Sequence, residues 1–350
     1  MNQVFLNKVF RILRNKLDEL IGGFYPLDKT LEIMTMRPFE LHLEFTNLCN
    51  TKCIFCPYQF QERKVEFMSD EVFYKAVKDY CEIGGGSVFL TPIVGDALID
   101  PKFLERVRYL RSQDEINEID LTTNGILLDK HGVEEILNSG ITGVFISTSG
   151  FDEEMYRRVY QSSSYQRMKQ NVLQMLEINS NKKDPIRITI GLRADRSLDE
   201  VLKYKDFQGI LAFNPDIDFT WSFTSANGRI TKEMLPQAMK LRVVTSHPVP
   251  CVQLFNGPIV LPDGTVMACT CVAAMDAVSN LSIGNILNSG LMEIWTSSRM
   301  KEIRAGFGTK SLNKTCAGCD MYRKPDFYKT SEGRERAKIN LQRFGKKIVK

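Results

Sequence analysis

From residue 39 the apolar and polar residues alternate: Phe39, Leu41, Leu43 and Phe45 interleave with Glu40, His42, Glu44 and Thr46. A period of two predicts a strand. A cysteine-rich loop follows. Ser69 then reads as a helix cap, with Val72, Phe73, Ala76, Val77 and Tyr80 recurring on one helical face. Cys81 continues that face and reads as a buried core thiol. Further strands are expected over residues 87–92, 118–123, 142–148, 186–193 and 218–223, with helices over 101–111, 131–138, 153–179 and 197–206. Six strands alternating with helices predict a parallel sheet with its helices outside. Right-handed crossovers curl such a sheet toward a barrel, and six units fall short of the eight that close one. The expected fold class is therefore α/β, an open, partial (β/α)6 TIM-like barrel. Ligands belong at the carboxyl ends of its strands, where the cysteine loop also lies.

After about residue 248 the texture changes. Residues 258–260 and 265–268 flank Leu261-Pro262-Asp263-Gly264, a hairpin with a tight turn, and 291–304 reads as helical. At the other end Val4, Phe5, Val9, Phe10, Leu13, Leu17 and Leu20 recur near helical spacing among Lys and Arg, up to Gly22 and Gly23. That helix either packs on the main body or touches a membrane surface or partner. The expected division is a lead-in over 1–37, the barrel over 38–247, a small hairpin-plus-helix domain over 248–330 and a basic tail over 331–350.

Composition narrows the chemistry. The chain of 350 residues suits one large core plus a satellite. With 43% hydrophobic and 25% charged residues it is an ordinary globular chain. A net charge of +4 is too small to suggest a nucleic-acid partner. No apolar run is long enough to span a membrane, and the N-terminus does not read as a secretory signal, so a cytoplasmic location is expected. The 9 cysteines are an odd number and they cluster, three from Cys49 to Cys56 and five from Cys251 to Cys319, with Cys81 apart. That fits metal or redox-cofactor ligation better than a disulfide framework. None of His42, His131 and His247 has a spacing to the cysteines that suggests a mixed zinc site.

The strongest signal is Cys49-Asn-Thr-Lys-Cys53-Ile-Phe-Cys56-Pro57. Thiolates hold iron–sulfur clusters, and three of them leave one iron of a 4Fe–4S cubane open to an exogenous chelator. Zinc, the alternative, wants four ligands. Cys-x3-Cys-x2-Cys after a first strand, with Phe55 before the third cysteine, resembles the radical S-adenosylmethionine (SAM) superfamily, over roughly residues 38–225. The resemblance implies that Gly95-Asp96 corresponds to the family's Gly-Glu turn, which holds the methionyl amino group, with Asp one methylene shorter than Glu. It further implies contacts to SAM from Asn124 in Thr122-Thr123-Asn124-Gly125, from Ser147 to the ribose and from Arg193 to the methionyl carboxylate. Read without the family, Thr-Asn-Gly is also an ordinary turn and a strand-end Ser an ordinary cap. The implied chemistry is one-electron cleavage of SAM to a 5′-deoxyadenosyl radical that takes hydrogen from a substrate, fed by a flavodoxin- or ferredoxin-type reductant.

Cys251, Cys269 and Cys316-x2-Cys319, together with Pro262-Asp263-Gly264, Ile283-Gly284-Asn285-Ile286 and Glu293-Ile294-Trp295, resemble the family's C-terminal SPASM and twitch modules. No cysteine follows Cys319. The shorter twitch form with one auxiliary 4Fe–4S cluster is therefore expected, with a zinc ribbon as the alternative. Four thiolates fill all four irons, which favours electron transfer over substrate ligation. Cys271 is left over: an alternative ligand, an inert thiol, or a hydrogen donor or acid–base group near substrate. The spacing resembles the butirosin-type aminocyclitol dehydrogenases. That implies a small polyol, sugar or aminocyclitol substrate, dehydrogenated or, in the near variant, epimerised. Peptide maturation is the second expectation, lowered because residues 1–37 are too short for a winged-helix leader-binding domain. A non-catalytic iron–sulfur or zinc protein is the third.

Overall fold

Six strands lie side by side in chain order, all parallel: β1 (Glu40–Leu43), β2 (Gly86–Leu90), β3 (Ile116–Thr123), β4 (Gly143–Thr148), β5 (Arg187–Leu192) and β6 (Asp216–Phe219). This computed structural model describes residues 27–90, 93–220, 222–269 and 278–324. The expected helix over 4–22, the tail from 331, Thr91, Pro92 and Cys271 lie outside the described residues. Alternation along the strands sets the layers. Leu41, Leu43, Val88, Leu90, Ile119, Leu121, Val144, Ile146, Ile188 and Ile190 are buried on the helix side. The interleaved Phe89, Asp120, Thr122, Phe145 and Thr189 line, with Gly143 and Arg187 at the amino ends of β4 and β5, a cavity of about 190 Å³. A Cβ on Gly191 would fall 2.2 Å from the Phe145 ring, so the missing side chain on β5 is what lets that ring cross the lumen.

The helices are shorter than their periodicity predicts. Helix Asp70–Glu82 starts as expected, with the Ser69 hydroxyl accepting from Val72 N and two acids in the first turn. Cys81 on it is half-buried against the core rather than fully enclosed. The stretch expected as one helix over 153–179 is two, Glu153–Tyr160 and Tyr165–Ser180, parted where Gln161 turns left-handed at φ 48°. The segment expected over 131–138 breaks at Gly132, φ 81°, between Leu128–His131 and Val133–Asn138. The segment expected over 291–304 divides into Leu291–Trp295 and Ser298–Ala305, the second capped by Ser297. Apolar period does not register a single residue that leaves the helical basin.

Beyond β6 two short strands, β7 (Ser222–Phe223) and β8 (Lys240–Leu241), pair with each other. The expected hairpin forms: β9 (Ile259–Val260) and β10 (Thr265–Met267) run antiparallel around Gly264 at φ 84°, and β11 (Ser282–Asn285) adds to β10. The hairpin is not a separate sheet. β9 pairs in parallel with β1, so nine strands run continuously in the order β11-β10-β9-β1-β2-β3-β4-β5-β6. His42 N and Glu44 N donate to Pro258 O and Val260 O, each at 3.1 Å. The C-terminal helices are tied down as well: Asp79 on helix Asp70–Glu82 accepts Leu291 N at 3.0 Å and so caps helix Leu291–Trp295.

The β1–β9 seam depends on Gly257, whose Cβ would sit 1.8 Å from Glu40 O. Because the obstacle is backbone, Gly257→Ala is expected to cost about 1–3 kcal/mol of stability, an overpacking cost, read as a lower midpoint in urea unfolding. An unchanged midpoint would show that the seam is loose.

Candidate active site and auxiliary cysteine site

The loop after β1 has almost no regular structure, so side chains must hold it. Thr46 donates to Glu66 O at 2.8 Å, Asn47 donates to Lys64 O at 2.7 Å and accepts Glu66 N, and Gln61 donates to Asn47 O. Glu44, wholly buried at the end of β1, binds Arg63 through both oxygens at 2.6 and 2.9 Å and also accepts Val94 N. Burial raises the Glu44 pKa, and the Arg63 bonds oppose that rise. These bonds fold residues 57–67 back over the strand end.

Cys49, Cys53 and Cys56 are thereby gathered. Thr51 Oγ1 lies 3.4 Å from both Cys49 Sγ and Cys53 Sγ, and Cys56 Sγ accepts Tyr58 N. Burial pushes all three thiols up: Cys53 well up, with the Cys56 charge adding, Cys56 to about 12, and Cys49 upward with the charge of Asp96 adding. Three desolvated sulfurs that raise one another's proton affinity are poor free thiolates. A cationic iron core offsets that penalty, because a metal-bound thiol is deprotonated outright. The donor set thus fits a cluster held by three cysteines.

Gly95 and Asp96 lie against this loop. Gly95 has φ 103°, and a Cβ there would meet Thr46 O at 2.6 Å and Leu48 O at 2.8 Å. Asp96 N donates to Leu48 O at 2.9 Å. The Asp96 carboxylate, 1% exposed, accepts Leu98 N, the Thr123 hydroxyl and Asn124 N. Burial raises its pKa while these bonds lower it. Of a carboxylate's roughly four lone-pair positions, three are taken. Asn124 in turn donates from Nδ2 to Asn50 Oδ1 at 2.6 Å, which closes a circuit from the loop through β2 and β3 and back.

Above the thiols stands a set of rings. Phe55 packs edge-on to Tyr160 at 5.5 Å and beside Phe223 at 5.2 Å, and Tyr160 stacks on Tyr156 at 5.0 Å. Ser147 shares a 3.0 Å hydrogen bond with the Tyr160 hydroxyl. Arg193 donates to Asp218 at 3.1 Å and lies over the Phe145 ring at 5.4 Å. Every sequence-predicted residue of the first set is therefore at the carboxyl rim. Tyr156, Tyr160, Phe223 and Asp218 were not anticipated; Tyr156 and Tyr160 carry a weak sequence signal, as aromatics four residues apart on one helix face.

The second set is farther along. The charges of Cys251, Cys316 and Cys319 act on one another, and burial pushes Cys316 to about 12 and Cys251 upward. Arg323 N donates to Cys251 Sγ, and Cys319 N to Cys316 O. Cys269, half-buried, follows β10 just before the residues that are not described. Residues 222–226 join the two sets. Phe223 touches Phe55, beside Cys56, while the Thr224 hydroxyl and Ser225 N both donate to Asp320, beside Cys319, at 2.6 Å. Among the described residues no three His, Cys, Asp or Glu side chains are grouped as holders of a single metal ion, and no helix is long and apolar enough to cross a membrane.

Gly95→Ala meets backbone oxygens at a left-handed φ, so the 46–48 carbonyls must move. We expect about 2 kcal/mol or more of destabilisation and iron incorporation at the first site reduced several-fold, measured by iron content and 400 nm-region absorbance after anaerobic reconstitution. Wild-type iron content would mean that the turn does not set the loop.

Residues 43–204 match the radical SAM superfamily and residues 251–320 match an iron–sulfur cluster-binding domain, SPASM. Among curated proteins the chain is 27% identical over 143 residues to a probable GTP 3′,8-cyclase of Methanococcus maripaludis strain C7, covering 40% of this chain and 46% of that one. It spans about half the length of the curated relatives it matches. Among solved structures it resembles BtrN in complex with AdoMet and 2-DOIA, at TM-score 0.52 and 13% identity, over 84% of this chain and 98% of that one. It also resembles Streptococcus suis SuiB bound to precursor peptide SuiA, at TM-score 0.59 and 14% identity, over 81% and 70%. These likenesses are of fold. With the two domain matches falling on the two cysteine sets, this chain carries a radical SAM domain, which implies a SAM-binding 4Fe–4S cluster, and a C-terminal SPASM domain, which implies an auxiliary iron–sulfur cluster.

Proposed function

We propose that the chain abstracts hydrogen from a small polyol, sugar or aminocyclitol and so dehydrogenates or epimerises it. The observation that carries this reading is the joining of the two cysteine sets through residues 222–226, with Phe223 on Phe55 and Asp320 held by Thr224 and Ser225. An alcohol radical that loses a proton must still give up one electron to become a ketone, and a second centre tied to the first site offers a place for it. The solved neighbour bound to 2-DOIA, covered over 98% of its length, supports the same class of substrate.

In this reading residues 38–247 form the SAM-cleaving barrel and 248–330 the auxiliary domain. Cys49, Cys53 and Cys56 would hold the first cluster; Cys251, Cys269, Cys316 and Cys319 would hold the second. When bound, SAM and its cluster supply a hydrogen-abstracting radical, and the auxiliary cluster supplies an acceptor for one electron. The chain's own residues orient and exclude water. Phe55 offers a ring face for the adenine and Ser147 a hydroxyl for the ribose. Asp96 keeps one lone pair for the methionyl amino group beside the Gly95 turn. Asn124 fixes the loop through Asn50, and Arg193 offers its remaining N–H groups to the carboxylate. Cys271 stays a proposed hydrogen donor or acid–base group, and the electron source is of flavodoxin or ferredoxin type. A precursor peptide is the second reading, favoured by solved neighbours bound to peptides at TM-scores of 0.59 and 0.54.

Anaerobic protein given SAM and a reductant is expected to release 5′-deoxyadenosine, and Cys53→Ala to release none. With candidate cyclitols in deuterated water, dehydrogenation gives a product lighter by two hydrogens and epimerisation gives a deuterated isomer. If cyclitols leave 5′-deoxyadenosine release unstimulated while a precursor peptide stimulates it, the substrate assignment moves to the second reading.

A further inference from the structure

A buried hydroxyl faces the first cysteine set, and no step described above uses it. Thr51, 5% exposed, places Oγ1 at 3.4 Å from Cys49 Sγ and at 3.4 Å from Cys53 Sγ. Once these sulfurs bind iron they are thiolates, which only accept, so the hydroxyl must be the donor. It has one proton and two sulfurs within reach, so it serves one at a time.

We propose that Thr51 donates a hydrogen bond to the sulfur cage of the SAM-binding cluster and raises its reduction potential. The assignment rests on the cluster reading of Cys49, Cys53 and Cys56. The sign follows from charge. Reduction adds an electron to a cage already made negative by its thiolates, and a donor stabilises the more negative form more. Thr51 is a positioning residue that acts through the ligand sulfurs and need not touch substrate.

The test is a potentiometric titration of the reconstituted full-length enzyme, followed by low-temperature EPR on the reduced signal that changes shape when SAM is added. That criterion separates the first cluster from the auxiliary one. Thr51→Val keeps the shape and removes the hydroxyl; Thr51→Ser restores it. At a fixed solution poise the reduced-to-oxidised ratio is expected to fall about three- to tenfold in Thr51→Val. The upper figure equals about 59 mV for one electron. Thr51→Ser is expected to return to the wild-type ratio. Should Thr51→Val take up too little iron, Thr51→Ala removes the same hydroxyl and reads the same quantity. An unmoved ratio in variants with full iron content overturns the hydrogen-bond assignment alone. A wild-type protein that takes up no iron at Cys49, Cys53 and Cys56 overturns the cluster reading beneath it.

Discussion

The structure depends on the turn at Gly95 lying flat against the carbonyls of Thr46 and Leu48. Two of these backbone oxygens stand within 2.8 Å of where a side chain would begin, so only glycine lets the end of β2 approach the cysteine loop so closely. From that contact Asp96 reaches the end of β3 and Asn124 reaches back to Asn50, and the loop between Cys49 and Cys56 becomes part of the barrel rim. A loop this poor in regular hydrogen bonds cannot crowd three buried thiols by itself; the carboxylates of Asp96 and Glu44 supply the order that backbone pairing does not.

The same logic explains how the second domain is attached. An open barrel leaves β1 with an unpaired edge, and an exposed edge invites pairing. Here β9 fills it, so the hairpin bearing Cys269 is rigidly continuous with the strand that launches the first cysteine set. Residues 222–226 make a second link, with Phe223 on Phe55 and Asp320 held by Thr224 and Ser225. Two separate attachments fix distance and orientation together.

Much of this was legible in the chain. Alternation at residues 39–46 and its five repeats gave the parallel order, because a sheet buried on its helix side needs an apolar residue at every second place. The spacing of Cys49, Cys53 and Cys56 identified the chemistry, since three thiolates in one short loop have few other uses. The Ser69 cap and the turn ending at Gly264 were equally local, and they stand where expected. Helix ends fared worse. Gln161 carries no helix-breaking signal, yet it adopts φ 48° because the chain must leave Tyr160 under Phe55 and re-enter at Tyr165.

The sequence by itself determined the strand order, the residue types at each rim position and the two thiolate sets, because each is written in local period or local spacing. The tertiary structure alone decided that β9 joins β1, that Asp96 binds Thr123 and Asn124 at the end of β3, and that the Thr51 hydroxyl faces two sulfurs at once. Those pairings unite residues from about thirty to more than two hundred positions apart, or, for Thr51, depend on the direction in which a loop side chain points. Neither long-range contact nor loop rotamer leaves a periodic trace in the chain, since both are chosen only when the whole core closes.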